Sequence, residues 1–388
     1  MTAPLSRYRL IDAFRGLAIL WIMCFHVLID VRTQYGPIIN FIIRHGYLGV
    51  QVFFVISGYG FAASFFDGKY QTPAAYLAGR LKRIYVPFWW QLLFAALIIP
   101  YLGTCVALAA KIPSDMVFPG YTLPEWFQVI SLARVFSAGE WALYEPFWPM
   151  NSALWYIAVI VQIYLFLALC MAARKYTSAL MAGMGLLSLA TFHPAVKALV
   201  PIGLFLPYFA QFYIGILTYR VLARHPVPQL KYTLGLVLLS AAAVFWCEYV
   251  GTLLLELAFS LLIASLFIAL RKYDDKVSTL FPIRLLIFVG TFSYSLYLLH
   301  VPLWFFVRMF VRMLVPLPPV ISDPLFIVPG IMALSFLWYL FFEKASPKGG
   351  AITRLLRPMP VIRSGMGDVK GVLSRKSGKT QAAEARPC

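Results

Sequence analysis

Charge is scarce in this 388-residue chain: 12% of its residues are Asp, Glu, Lys or Arg, 15 of them acidic and 33 basic. A soluble domain carries about twice that fraction. With 61% hydrophobic residues and a mean hydropathy of +0.80, the composition excludes a water-soluble globule and leaves a polytopic membrane protein. Cysteine is sparse and unpatterned. Cys24, Cys105, Cys170, Cys247 and Cys388 form no C-x-x-C and no ligand spacing with histidine, which argues against a metal centre or a disulfide framework. They read as packing residues. No repeat of fixed period and no appended soluble domain is found. The first apolar run opens on an Asp/Arg pair and lacks a small-x-small cleavage site before a polar domain, so it reads as a retained helix. The net charge of +18 gathers at segment ends and in a polar tail. That is the pattern of the positive-inside rule, not of nucleic-acid binding.

Apolar runs of about 20 residues fall at roughly 12–32, 46–66, 84–102, 152–173, 178–196, 201–219, 231–249, 251–270, 285–307 and 325–342. They predict an all-α polytopic membrane protein of about ten transmembrane helices. Arg7, Arg9, Arg80, Lys82, Arg83, Arg174, Lys175, Arg220, Arg224, Arg271, Lys272 and Lys276 then share one side, which places both termini in the cytoplasm. The division of 231–270 is marked by little more than Glu248-Tyr-Val-Gly251. The loop from about 103 to 150 holds Trp126, Trp141, Tyr144 and Trp148 and reads as an interfacial cap. Residues 1–345 are expected to form the membrane domain. Residues 346–388 are expected to form a basic, disordered cytoplasmic tail.

The first run carries what a membrane helix should not: Asp12, Arg15, His26 and, just beyond, Asp30. Ionisable groups at bilayer depth are costly and mark function. Eleven residues at about 100° each return Arg15 and His26 to nearly one helix face, about 16 Å apart along the axis. Asp12 and Asp30 lie within roughly 40° of that stripe. Near the other end of the chain, Ser293, Tyr297 and His300 share a stripe at i, i+4 and i+7. Counted from the inner end of 285–307, His300 lies at nearly the depth of His26. Two histidines at matching depth predict one polar cavity.

Taken together these motifs resemble the acyltransferase 3 family of integral membrane acyltransferases. Leu10-Ile-Asp12-Ala-Phe-Arg15-Gly-Leu-Ala with His26 is similar to the family's start. Gly46-Tyr-Leu-Gly49 through Ser57-Gly58-Tyr59 resembles its second helix, and Arg80-Leu-Lys82-Arg83-Ile-Tyr85-Val-Pro87 its basic loop. Leu154-Trp155-Tyr156 with Gln162 and Tyr164, and Ser293-Tyr294-Ser-Leu-Tyr297-Leu-Leu-His300, resemble later motifs in the same order. The resemblance spans about residues 8–342. It implies transfer of an acyl group, most often acetyl from acetyl-CoA, to hydroxyls of envelope glycans. The family's R-x10-H pattern falls on Arg15 and His26, and its R-x-x-R on Arg80 and Arg83. Many members carry acids in the fourth helix where this chain has Ile160 and Val161, so no catalytic carboxylate is assigned there. The hydrolase-like periplasmic domain fused to some members is missing.

Acyl transfer to a hydroxyl needs a base, oxyanion donors and an anchored donor molecule. His26 suits the base. Asp30, one turn on, is expected to orient its ring if the helix stays regular, or else to be a surface acid. His300 and Tyr297 complete the catalytic group. Arg15, Arg80, Lys82 and Arg83 are expected to bind the phosphates of acyl-CoA, although a bare topology signal also explains the last three. Asn151, Trp155, Tyr156 and Ser57 are assigned to the acceptor. Asp12, Gly46, Gly49 and Gly58 are assigned to structure, the glycines through close helix packing. His45, His193 and His225 sit at segment ends and take no catalytic part. No metal and no permanently bound cofactor is expected. The partners expected are acyl-CoA as donor, a saccharide or lipid-linked glycan as acceptor, and membrane lipid, at the cell inner membrane. The rival is a transporter of a glycolipid or acyl compound, for which paired, interrupted helices in two related halves are not seen.

Overall fold

The computed structural model describes residues 8–70, 72–110, 122–137, 151–201, 203–224, 230–252 and 254–344. Met1–Glu343 form one compact unit and Lys344–Cys388 a second, of which Lys344 alone is described. Trp141, Tyr144, Trp148, His225 and the tail lie outside the described residues.

The described chain is helical, with no strand. Its longer helices are α1 (Leu10–Leu28), α2 (Pro37–Arg44), α3 (Gly49–Phe66), α4 (Pro73–Ala110), α5 (Leu123–Ser131), α6 (Trp155–Ala172) and α7 (Thr177–Ala190). They continue as α8 (Leu206–Arg224), α9 (Leu230–Val250), α10 (Leu255–Leu270), α11 (Phe281–Thr291), α12 (Ser293–Leu314) and α13 (Val328–Trp338). Six stretches among the described residues are long and apolar enough to cross a membrane: Leu10–Leu28, Pro37–Phe66, Trp155–Ala172, Lys231–Val250, Ser293–Arg312 and Pro319–Glu343. The sequence predicted about ten. Part of the shortfall is length, since α7 has 14 residues, α10 has 16 and α11 has 11. The division of 231–270 falls at Gly251, whose φ of +68° is a conformation glycine adopts without strain and which ends α9.

The segment expected at 285–307 is not one helix. It breaks at Phe292 (φ −113°, ψ 17°) between α11 and α12. There the Thr291 hydroxyl donates to the Phe288 carbonyl at 2.7 Å and the Ser293 hydroxyl to the Gly290 carbonyl at 3.0 Å. Local side-chain bonds of this kind compete with the helical ladder. His300 is therefore seven residues into a new helix, and the single-axis depth count does not apply to it.

Two crossings bring backbones into direct contact. A Cβ on Gly58 of α3 would lie 1.8 Å from the Phe212 carbonyl oxygen of α8, and one on Gly215 would lie 2.0 Å from that of Val55. Gly16 of α1 and Gly290 of α11 repeat the arrangement, each 2.0 Å from the opposite carbonyl, of Leu286 and Asp12. Gly46 and Gly49 approach the Trp21 and Ala18 carbonyls of α1 to 2.5 and 2.7 Å by the same measure. In lipid no hydrophobic force draws helices together, so close van der Waals approach of this kind is what holds them. The start of α1 is fixed from a distance. It has no side-chain cap of its own, but the buried Asp274 carboxylate accepts from the Arg9 and Leu10 amides at 3.0 and 2.9 Å. That supplies the acceptor the first turn lacks and sets a negative charge at the positive end of the helix dipole.

Candidate active site

Between α1, α3, α4, α6 and the α11–α12 break lies a cavity of about 480 Å³. Its rim is basic, where Lys69 of the α3–α4 connection and Gly79 and Arg83 of α4 are exposed. Arg15 and Arg80 lie on its walls. Arg80 donates to the Gly60 carbonyl and the Ser64 hydroxyl, both at 3.2 Å, and lies over the Tyr76 and Tyr164 rings at 5.6 and 5.4 Å. Arg15 is 3.1 Å from the Asp12 carboxylate. Arg83 makes no hydrogen bond or ion pair among the described residues. Three guanidiniums and one ammonium thus converge on one space, and one guanidinium is uncommitted. Such a set is suited to phosphate, which guanidiniums bind in forked geometry.

An aromatic layer closes the far end. Phe53, Tyr156 and Tyr297 line the cavity, with ring centroids 6.1, 6.3 and 5.5 Å apart in pairs. Ser57 is beside them, its hydroxyl 3.4 Å from that of Tyr156. That hydroxyl is not a base, so Ser57 has no activating partner among the described residues. The Tyr297 hydroxyl donates to the Ala153 carbonyl, and the Tyr294 hydroxyl to that of Ile84 at 2.8 Å. These bonds fix the rings of the cavity face of α12.

Behind that layer the two histidines meet. The His300 ring is 5.7 Å from Tyr297 and 5.1 Å from His26. His300 is fully buried, and its Nε2 has no partner. A buried unpaired polar atom costs about 1–3 kcal/mol, and such costs recur at functional sites. His26 is half-buried and neither histidine lines the cavity. The two rings therefore meet, but not in the shared cavity expected of them: Tyr297, the neighbour of His300, is on the cavity wall and the histidines are not.

Several expectations are corrected by the structure. Asp30 does not orient His26: α1 ends at Leu28, and the exposed Asp30 carboxylate lies 3.5 Å from Arg308. Asn151 is fully buried and not open to a substrate. Its Nδ2 donates to the Leu298 carbonyl at 2.7 Å and its Oδ1 accepts from the Ala153 amide at 3.1 Å. The reason lies in α12, where Pro302 has no N–H for the carbonyl four residues earlier, and that carbonyl is Leu298. Trp155 faces Tyr208 at 5.5 Å and is not on the cavity wall. Lys82 is exposed and off the wall too. His45 is held in structure, Nδ1 2.8 Å from the Phe41 carbonyl and Nε2 2.9 Å from Glu248.

Sequence reasoning missed Lys69, Gly290 and Glu343. Glu343 reaches the cavity wall from the end of the last span and accepts from the Ser295 hydroxyl at 2.7 Å. An acid closing the last apolar run was the available signal. No cluster of metal-ligating side chains occurs among the described residues.

A family model described as an acyltransferase domain, Acyl_transf_3, matches residues 8–343. The chain belongs to the acyltransferase 3 family. The match runs from the start of α1 to Glu343 and takes in every residue of the cavity and the histidine pair. This acyltransferase 3 protein is thus a membrane acyltransferase, and the apolar helices agree with that setting. No curated protein and no solved structure matches the chain.

Proposed function

We propose that this acyltransferase takes an acyl group, acetyl in the first instance, from cytosolic acyl-CoA and transfers it to a hydroxyl of an envelope or exported saccharide. The observation that carries the reading is the cavity whose rim holds Lys69 and Arg83, whose walls hold Arg15 and Arg80, and whose far end is Tyr297 against the histidine pair. The phosphates of the donor would lie among the guanidiniums. Arg15 and His26 are about 16 Å apart along α1, a span comparable to an extended pantetheine arm. The thioester would reach His26 once the Tyr297 hydroxyl leaves the Ala153 carbonyl and its ring turns aside.

His26 then removes the proton of the acceptor hydroxyl as that oxygen attacks the thioester carbonyl, and returns it to the departing thiolate. In this reading the protein sits in the inner membrane with both termini in the cytosol. Labelled acetyl-CoA supplied to membranes containing the protein tests it. Label on a saccharide with the wild type, and none with His26→Ala, is the expected result. Undiminished labelling by His26→Ala removes the base. A labelled wild-type protein that passes its label to saccharide would replace direct transfer by an acyl-enzyme relay.

A further inference from the structure

We infer that His300 is a positioning residue for His26: its Nε2 accepts the N–H of the His26 ring, fixes the tautomer, and takes the place of the carboxylate that usually orients a catalytic imidazole. The inference rests on the proposed role of His26 as base. Its first support is the chemistry of the His300 ring. Nδ1 lies 2.7 Å from the Tyr297 carbonyl and 3.2 Å from that of Leu296. A carbonyl oxygen accepts and never donates, so Nδ1 must carry the hydrogen, and in the neutral ring Nε2 carries the lone pair. That lone pair is buried and has no partner.

The second support is what lies nearby. The ring centroids of His300 and His26 are 5.1 Å apart and tilted by 53°. Two imidazoles joined N–H···N have centroids about 5 Å apart, since the nitrogens are then about 2.9 Å from each other. The His26 ring makes no hydrogen bond among the described residues, so no such bond has to break for the small rotation that joins them. The third support is the loss of the other candidate. Asp30 is taken by Arg308, and among the described residues no carboxylate is hydrogen-bonded to either histidine.

In the reaction the N–H of His26 that faces His300 stays in place. The other ring nitrogen takes the acceptor's proton while the hydroxyl oxygen's electron pair bonds the thioester carbon. The C–S bond breaks as the tetrahedral intermediate collapses, and the thiolate receives that proton. His300 gains and loses nothing, and serves by holding the ring and stabilising the transient imidazolium.

The test compares wild type, His300→Gln and His300→Leu in the full-length protein. The Gln side-chain oxygen can accept where Nε2 did; Leu fills the space and cannot. In membranes given labelled acetyl-CoA, His300→Leu is expected to lower the saturating rate by about 10²-fold, with the donor KM unchanged and His300→Gln within about tenfold of wild type. Histidine ring NMR of the purified protein in lipid discs supplies a readout that needs no acceptor. His26 should show a single tautomer in wild type and His300→Gln, and an averaged one in His300→Leu. An unchanged His26 signal in His300→Leu overturns the inference. So does an equal loss of rate in the Leu and Gln variants, which would give His300 the proton itself. A wild type that transfers no label counts against the acyl-CoA reading, while the ring spectra still decide the pair.

Discussion

Arg83→Met separates donor binding from folding, because Arg83 is the cavity guanidinium with no hydrogen bond or ion pair among the described residues. A hydrogen bond between charged groups contributes about 1.5–3 kcal/mol. Arg83 is exposed, so solvent screening places it at the lower end, about 1.5 kcal/mol or roughly tenfold in Kd. The same change should leave the melting temperature in detergent or lipid within about 1 °C, since no bond inside the protein is lost. Arg80→Met is the contrast. It strips the Gly60 carbonyl and the Ser64 hydroxyl of their donor and removes the cation stacked over Tyr76 and Tyr164, so both affinity and melting temperature should fall. The assay is titration of CoA into the purified protein, at low and high salt, beside a thermal melt. Wild-type affinity for CoA in Arg83→Met, at low salt, would refute the placing of phosphate at this rim.

Three further outcomes are expected. Gly58→Ala puts a methyl where a carbonyl oxygen stands 1.8 Å away; α3 and α8 must part by about 1 Å or more, costing about 1–3 kcal/mol, with lower expression and a lower melting temperature as the measure. Asn151→Ala should destabilise by about 1–3 kcal/mol in the wild type and by much less in a Pro302→Ala background, where the Leu298 carbonyl regains a helical partner; additive costs in the double-mutant cycle would remove the stated reason for Asn151. At α5, the Thr122 amide and hydroxyl and the Arg134 guanidinium hold the Glu125 carboxyl below its usual range. Because the folded value is depressed, this cap contributes above the unfolded pKa and is lost as pH falls through the folded one. Intrinsic-rate-corrected hydrogen exchange over 122–137 should therefore speed up in acid, whereas Glu125→Gln should be fast at every pH.

The helices and the meeting of His26 with His300 were legible because hydropathy and the rarity of intramembrane charge are strong signals. Arg15, Arg80 and Arg83 line one cavity for the same reason. What could not be read depends on competition between nearby bonds. The Phe292 break is set by two hydroxyls taking carbonyls of the preceding turn, and the burial of Asn151 by a proline some 150 residues later in the chain. Asp30 had the spacing to serve His26, but the end of α1 and the presence of Arg308 are tertiary facts with no local trace. Gly46, Gly49 and Gly58 were foreseen as packing residues, whereas Gly16, Gly215 and Gly290, and the pairing across α1–α11 and α3–α8, needed the fold.

Those paired glycines bear on how this protein could change its substrate. Where carbonyl oxygens press into the notches of the facing helix, two pairs of helices are pinned like riveted beams, and neither pair can spread to admit a bulkier cargo. In the proposed reading, opening a way from the cavity toward the histidines is then left to the rings of Phe53, Tyr156 and Tyr297. Trimming one of those rings is the cheapest mutational path to a longer acyl chain, with the scaffold itself left untouched.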